Sequence, residues 1–317
     1  MTEPRSNVQL ADRPGPRPAT GTTAPRQLTS GIATMVGSSV SNQAGAAIGA
    51  LAFPVIGPVG VVAVRQLVTA LVLGAAVRPR FRSMTGAQFR PVLGLAVVFS
   101  VMNLSLYCAV DRIGLGLAVT LEFLGPLAVA VLTSRRVIDV ACAIVAGVGV
   151  LVLTDPGPTT DYLGIALALT AAAAWAGYIL LNRTLGQRLP GVQGSAAAGA
   201  LSAIAWIPLT VVWFIHHPPT VESLLFAVAC GILASAIPFA ADLITLRRLP
   251  AGLFGTLTSL NPVWAALSGW LILHQMLSAH QLTGIGLIAA SNIAVTVAGF
   301  ARQGRERRVQ SATDATR

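Results

Sequence analysis

Residues 112–126 read Arg-Ile-Gly-Leu-Gly-Leu-Ala-Val-Thr-Leu-Glu-Phe-Leu-Gly-Pro, and residues 248–262 read Arg-Leu-Pro-Ala-Gly-Leu-Phe-Gly-Thr-Leu-Thr-Ser-Leu-Asn-Pro. The two stretches align without gaps at an offset of 136, and seven of their fifteen positions are identical. An internal repeat governs the reading of a whole chain, because each copy is one structural unit that the other must complement. What the copies are made of, and which way each one runs, follows from the residues around them.

Charged residues make up 10% of the chain, apolar residues 54%, and mean hydropathy is +0.74. Soluble domains carry about 25% charge, so this composition excludes an ordinary water-facing surface and fits a lipid-facing one. A bilayer core about 30 Å thick takes roughly 20 helical residues to cross. That ruler gives spans near 29–52, 55–77, 91–110, 113–133, 138–154, 162–182, 194–215, 223–246, 250–272 and 281–301. All 21 basic residues are arginine. With the N-terminus inside, 19 of the 21 fall in inner segments, Arg112 lies in an outer loop and Arg65 lies inside a span. Positive charge accumulates on the cytoplasmic side of membrane proteins, so both termini are expected in the cytoplasm. This sorting also argues against the nucleic-acid partner that a formal charge of +10 would otherwise suggest.

The first copy of the repeat therefore enters span 4 from outside, and the second enters span 9 from inside. The expected fold is an all-α integral membrane protein of ten transmembrane helices, arranged as two inverted five-helix repeats. Residues 29–154 form the first repeat and 155–301 the second. Residues 1–28 read as a disordered cytoplasmic tail and 302–317 as a basic cytoplasmic tail. Inverted repeats recur in secondary transporters, where they supply two bundles that exchange inward-open and outward-open shapes.

Residues that do not belong in lipid mark the candidate site. Arg65 and Glu122 lie near mid-membrane, where a charged side chain on a lone helix costs about 2.5–3.5 kcal/mol on insertion scales, so both are expected to face the bundle interior. The simplest pairing joins them to each other; the alternative holds them apart on the two ends of a zwitterion. Asn103 and Tyr107 share one face of span 3, and Trp175 and Tyr178 share one face of span 6. Asn42 and Gln43 in span 1, and Thr256, Ser259 and Asn261 in span 9, are further polar groups that suit either a solute or another helix. Pro126 and Pro262 each remove a backbone donor mid-span, freeing the carbonyls of Glu122 and Thr258. Such carbonyls are tolerated where protein or a water-filled cavity meets them. Asp242, near the inner end of span 8, is a candidate gate contact or a structural partner for Arg247 or Arg248.

Nothing calls for a metal or a cofactor. Cys108, Cys142 and Cys230 stand alone in apolar runs, and His216, His217, His274 and His280 have no ligand spacing. A P-loop is excluded, since the chain has no lysine to complete one.

The stretch Ala118-Val-Thr-Leu-Glu122-Phe-Leu-Gly-Pro-Leu-Ala-Val-Ala130, followed by Ser134-Arg-Arg136, resembles span 4 of the threonine/homoserine exporters of the EamA branch of the drug/metabolite transporter superfamily. Leu249-Pro250, Phe254-Gly-Thr-Leu257 and Pro262 look like their span 9, and Val64-Arg65 is similar in span 2. The resemblance covers roughly residues 30–300. Asn261 stands where that family often has an acidic residue, and His274-Gln275 where it commonly has Gly-Glu. The resemblance implies a multi-pass protein of the bacterial cell membrane that exports a small metabolite, such as threonine or homoserine, by alternating access with proton coupling. Arg65 and Glu122 are the positions it carries over. The expected partners are a small-molecule solute and the lipid bilayer, with monomer and homodimer both open. The alternative is an integral membrane enzyme acting on a lipid-linked substrate, which needs an acid–base or metal cluster at one membrane face.

Overall fold

A computed structural model describes residues 25–77, 84–133, 137–154, 160–186, 193–238, 240–241, 254 and 257–315. Among these residues the chain is helical and contains no β-strand. The helices are α1 (Pro25–Ala50), α2 (Phe53–Val77), α3 (Gly86–Ile113), α4 (Leu115–Glu122), α5 (Leu124–Thr133), α6 (Val137–Thr154), α7 (Tyr162–Gly186), α8 (Gln193–His216), α9 (Val221–Gly231), α10 (Asn261–Leu273) and α11 (Ala279–Ala315), with a π turn at Ile232–Ala236 following α9. Six stretches are long and apolar enough to cross a membrane: Phe53–Val72, Gln88–Ile113, Leu115–Leu132, Tyr162–Asn182, Gln193–His216 and Ala279–Ala298. Val140–Thr154, Val221–Ala236 and Asn261–Leu273 are shorter apolar helices. The outer surface carries bare aliphatic side chains such as Leu132, Val137, Ile144 and Leu151, which only lipid covers without cost. The chain is a multi-pass helical membrane protein.

Helix ends differ from the sequence reading at both termini. α1 begins at Pro25, inside the stretch read as tail, and α11 runs on as helix through residues 302–315. Inside the bundle, the expected kinks at the prolines are helix starts instead. α4 ends at Glu122, Phe123 caps it, and Pro126 falls in the first turn of α5. Pro262 likewise falls in the first turn of α10, behind the turn at Ser259–Leu260. A first-turn N–H has no intrahelical acceptor, so proline there removes no bond. α2 bends at Gly57 (φ 65°) before Pro58, and the indole of Trp213 donates to the Ile56 carbonyl beside the bend at 2.8 Å.

The packing brings corresponding parts of the two halves together. α2 lies along α8, α6 along α11, and α4 along α10. The amide of Gln66 donates to Ser202, 136 residues away, at 2.9 Å. Ser202 continues to Ser100 at 2.9 Å, and the Trp206 indole donates to Ser100 at 3.0 Å, tying α2, α3 and α8. α6 and α11 meet glycine to glycine: a Cβ on Gly284 would stand 2.7 Å from the Gly149 carbonyl oxygen. α4 and α10 run antiparallel, with Leu115 beside Gly269 and Gly116 against the Ala266 backbone. Gly114, at φ 82°, makes the turn into α4, and the Gln275 side chain accepts from the Leu115 N–H there at 3.0 Å. Gln275 therefore caps a helix of the first half from the second.

Candidate functional site: a central cavity between Arg65 and Glu122

The centre of the bundle encloses a cavity of about 290 Å³. α1 contributes Asn42 and Gln43, α2 contributes Arg65, and α3 contributes Asn103 and Tyr107 with Phe99 and Met102. α4 contributes Glu122, and α7 contributes Trp175 and Tyr178. Arg65, Glu122, Asn103, Tyr107, Trp175 and Tyr178, picked out in the sequence, thus surround one space. Its volume lies at the small end of ligand pockets, which run about 300–1,000 Å³.

Arg65 and Glu122 do not pair. Among the described residues the one ion pair is Arg112 with Asp161 at 3.0 Å, at the outer edge. The reason lies in span 8. Pro238 has no N–H, so the Ala234 carbonyl, four residues earlier, lacks its α-helical donor. Arg65 supplies one, donating from Nη2 to Ala234 at 3.1 Å and from Nε to the Ser235 hydroxyl at 3.0 Å. The neighbouring π turn closes with the Ile237 N–H on the Ile232 carbonyl. That displaces the Leu233 carbonyl, which accepts from the Ser41 hydroxyl at 2.8 Å. The guanidinium also lies 5.2 Å over the Tyr107 ring, an attraction of cation for π face. Tyr107 in turn is 1% exposed, with its hydroxyl 3.0 Å from Cys230 Sγ. Of the five guanidinium N–H donors, the bonds to Ala234 and Ser235 occupy two, and the guanidinium borders the cavity.

Glu122 is 7% exposed, and among the described residues neither a hydrogen bond nor an ion pair reaches its carboxyl. The cavity therefore holds one anchored cation and one unengaged carboxyl, with polar amides between them. Asn103 is steadied by its Nδ2 donating to Phe99 at 2.8 Å, and Phe99 packs on Tyr178 with ring centroids 5.2 Å apart. On the far side, Phe123 and Trp175 meet edge to face at 4.6 Å. Trp175 is shared with a second cavity of about 210 Å³ that also touches Pro126, Thr258, Ser259 and Asn292.

Other sequence candidates fall elsewhere. Asn261 is buried at the start of α10, its Oδ1 has no hydrogen-bond partner, and it lines neither cavity. Pro262 is buried beside it. Asp242, Arg247, Arg248 and Thr256 lie outside the described residues. The histidines stay apart from the cavity: His217 stacks on Trp213 at 4.2 Å, and His280 hydrogen-bonds Ser278 at 3.0 Å. Sequence reading missed Ser235 and Cys230, which hold Arg65 and Tyr107. Pro238 was the available signal for the first; a lone cysteine in an apolar run gives none for the second.

This is the fold and site of a membrane transporter, and the comparisons with known proteins agree. The chain belongs to the EamA-like transporter family, which it matches over residues 162–297. It is 35% identical over 278 residues to the threonine/homoserine exporter RhtA of Escherichia coli (strain K12), covering 84% of this chain and 91% of the relative. The Salmonella typhimurium (strain SL1344) protein of the same name is 35% identical over 263 residues, covering 81% and 88%. An uncharacterized transporter of Bacillus subtilis (strain 168), YwfM, is 28% identical over 138 residues, covering 44% and 47%. A solved crystal structure at 18% identity shares the fold, with a TM-score of 0.57 over 87% of this chain and 98% of the other. These relatives are transporters, and the chain is a transporter rather than an enzyme.

Proposed function

We propose that this protein is a secondary transporter that exports a small amino acid, with threonine and homoserine as the first candidates, by alternating access coupled to protons. The observation that carries this is the central cavity: one small space bounded by a guanidinium held from behind and a carboxyl without a partner. A free amino acid presents the complementary pair. Its carboxylate takes the open edge of Arg65, a charge-assisted contact stronger than a neutral hydrogen bond. Its ammonium faces Glu122, and Asn42, Gln43 and Asn103 suit a side-chain hydroxyl. When the ammonium leaves, a proton takes its place on Glu122, so solute and proton alternate at one group. The relatives named threonine/homoserine exporters, aligned over most of this chain, support the same solute class.

Alternating access rests on ten spans in two inverted repeats. Several packing facts support that reading. The offset between the two sequence copies is 136, and Gln66 meets Ser202 at that same separation. Gly149 and Gly284, where α6 and α11 cross, are 135 apart. Helices that correspond therefore cross near corresponding residues, as a two-fold axis in the membrane plane requires. The arginine distribution supports a reading with both termini in the cytoplasm and the site in a cell membrane.

The test is uptake of radiolabelled amino acids into inverted vesicles, with and without a proton gradient. Threonine or homoserine should accumulate when the gradient is present. Glu122→Gln should cut the gradient-driven rate by about tenfold or more, since a hydrogen bond to a charged group is worth about 1.5–3 kcal/mol. Uptake in Glu122→Gln that keeps its full dependence on the gradient would remove the proton role. A panel with no amino acid taken up by the wild type would remove the solute class.

A further inference from the structure

The second cavity, of about 210 Å³, touches the first through a single aromatic contact. It lies among α5, α7, α11 and the turn before α10, lined by Phe123, Trp175, Thr258, Asn292 and Thr296, and among the described residues no charged side chain lines it. Its polar groups share one property. The Thr258 hydroxyl donates to the Phe254 carbonyl at 2.9 Å, and the Thr296 hydroxyl to the Asn292 carbonyl at 2.7 Å. The Asn292 amide nitrogen donates to the Ile288 carbonyl at 3.0 Å. A carbonyl must be met by a donor, so that contact fixes the amide nitrogen on the helix and leaves Asn292 Oδ1 on the cavity side. With both hydroxyl protons and one of the two Asn292 N–H groups engaged, Thr258, Thr296 and Asn292 turn mainly oxygen lone pairs to the cavity.

We propose that this cavity is a second solute subsite that binds the ammonium end of the solute through the oxygens of Thr258, Asn292 and Thr296, with the Phe123–Trp175 pair as the partition between it and the central cavity. Three neutral acceptors suit an –NH3+ group, which carries three donors and no acceptor. A carboxylate meets mostly acceptors there, with the second N–H of Asn292 and the Trp175 indole N–H as donors on the lining, so the subsite favours the ammonium end of the solute and orients it toward the partition. Placement follows the chain: these residues lie on the inner side of Glu122 when the arginine-rich ends face the cytoplasm, which makes the cavity a station on the way in from that side. The solute identity rests on the proposed function; the recognition of an ammonium group does not.

The test reads occupancy of the cavity without requiring transport. Ser259 lines it and is nearly the size of cysteine. The full chain is placed in lipid nanodiscs, with Cys108, Cys142 and Cys230 replaced by alanine and Ser259→Cys introduced. The rate of modification by a small cationic thiol reagent is measured with ethanolamine, threonine or the matching 2-hydroxy acid present. Ethanolamine and threonine should each slow modification at saturating concentration, and the hydroxy acid should not. Thr296→Val, close in shape, should weaken protection by about tenfold in concentration, the size expected for one hydrogen bond to a charged group. Arg65→Leu should leave protection by ethanolamine unchanged. Equal protection by the hydroxy acid, no protection by either ammonium compound, or full protection in Thr296→Val overturns the subsite. Protection that persists in a protein with no amino-acid uptake would sink the exporter reading and leave the subsite standing.

Discussion

The two copies of the repeated segment keep one backbone plan and diverge in chemistry. Both end a helical piece just before a proline that opens the next helix, α5 at Pro126 and α10 at Pro262. Yet Glu122 in the first half corresponds at the offset of 136 to Thr258 in the second, and Arg65 corresponds to Leu201. The acid and the guanidinium of the central cavity thus both come from the first half, while the second supplies Ser235 and the carbonyl of Ala234 that hold Arg65 in place. The proposed cycle draws its motion from the repeat and its recognition from this asymmetry: a site with two equal acids would have no preferred end for the solute. Replacing each first-half residue by its counterpart tests this division. Arg65→Leu should have the largest effect. Transport should be lost, and the Ala234 carbonyl, with no donor, should cost about 1–3 kcal/mol of stability as a buried unsatisfied group. Glu122→Thr should abolish gradient-driven transport with unfolding unchanged, because no contact in the fold depends on that carboxyl. Thermal denaturation beside vesicle uptake separates the two. Equal destabilisation by both would show that Glu122 is also structural.

A sharper contrast lies one residue before the prolines. Gly125 in the first copy presses against the Ala172 carbonyl of α7, with no room for a Cβ. Its counterpart Asn261 is buried with its Oδ1 unpartnered. Gly125→Ala should destabilise by about 1–3 kcal/mol through overpacking, because a backbone carbonyl cannot step aside as a flexible side chain can. Asn261→Ala should be neutral or raise stability by up to about 1 kcal/mol, since it removes an orphaned polar atom. Loss of transport in Asn261→Ala with stability retained would show that the oxygen finds its partner in another state of the cycle.

Much of this was legible in the residues. Apolar runs of known length mark the spans, and ionisable groups inside them have nowhere to go but the interior, where Arg65 and Glu122 border one cavity; that Asn103, Tyr107, Trp175 and Tyr178 border it too, the residues alone left open between a solute and another helix. What the residues hid was who holds whom. Pairing Arg65 with Glu122 satisfies charge counting, but Pro238 creates a backbone vacancy in another half of the molecule that outcompetes it. The break at Phe123 was assigned to Pro126, because a proline signals a disturbed helix without saying whether it bends a helix or begins one. The second cavity had only a partial signal in Pro126, Trp175 and Ser259: Thr258, Asn292 and Thr296 inside apolar helices read as internal hydrogen bonds, which they also are. Gln275, 160 residues from Leu115 in the chain, caps α4 only because α10 packs alongside it.

The smallest effect concerns the helices that open the two halves. α7 starts on Asp161, whose carboxylate accepts from the Gly164 N–H at 2.8 Å and from Arg112; α1 starts at Pro25 with no acidic residue in its first turn. The Gly164 N–H, and then the Arg112 guanidinium, hold the Asp161 carboxyl below the usual aspartate range. A lowered value means that the folded state favours the ionised form, so its stabilising contribution is complete above the ordinary aspartate value of about 4 and is lost as pH falls through the lowered one. Both side chains are substantially exposed, and water and salt screen such pairs. Asparagine also caps helices well. Asp161→Asn should therefore leave transport unchanged and lower the unfolding temperature only slightly. That difference should stay constant from neutral pH down to about 4 and shrink below it, as the wild-type carboxyl takes up its proton. A difference that instead changes between pH 5 and 8 would show that a group other than Asp161 governs it.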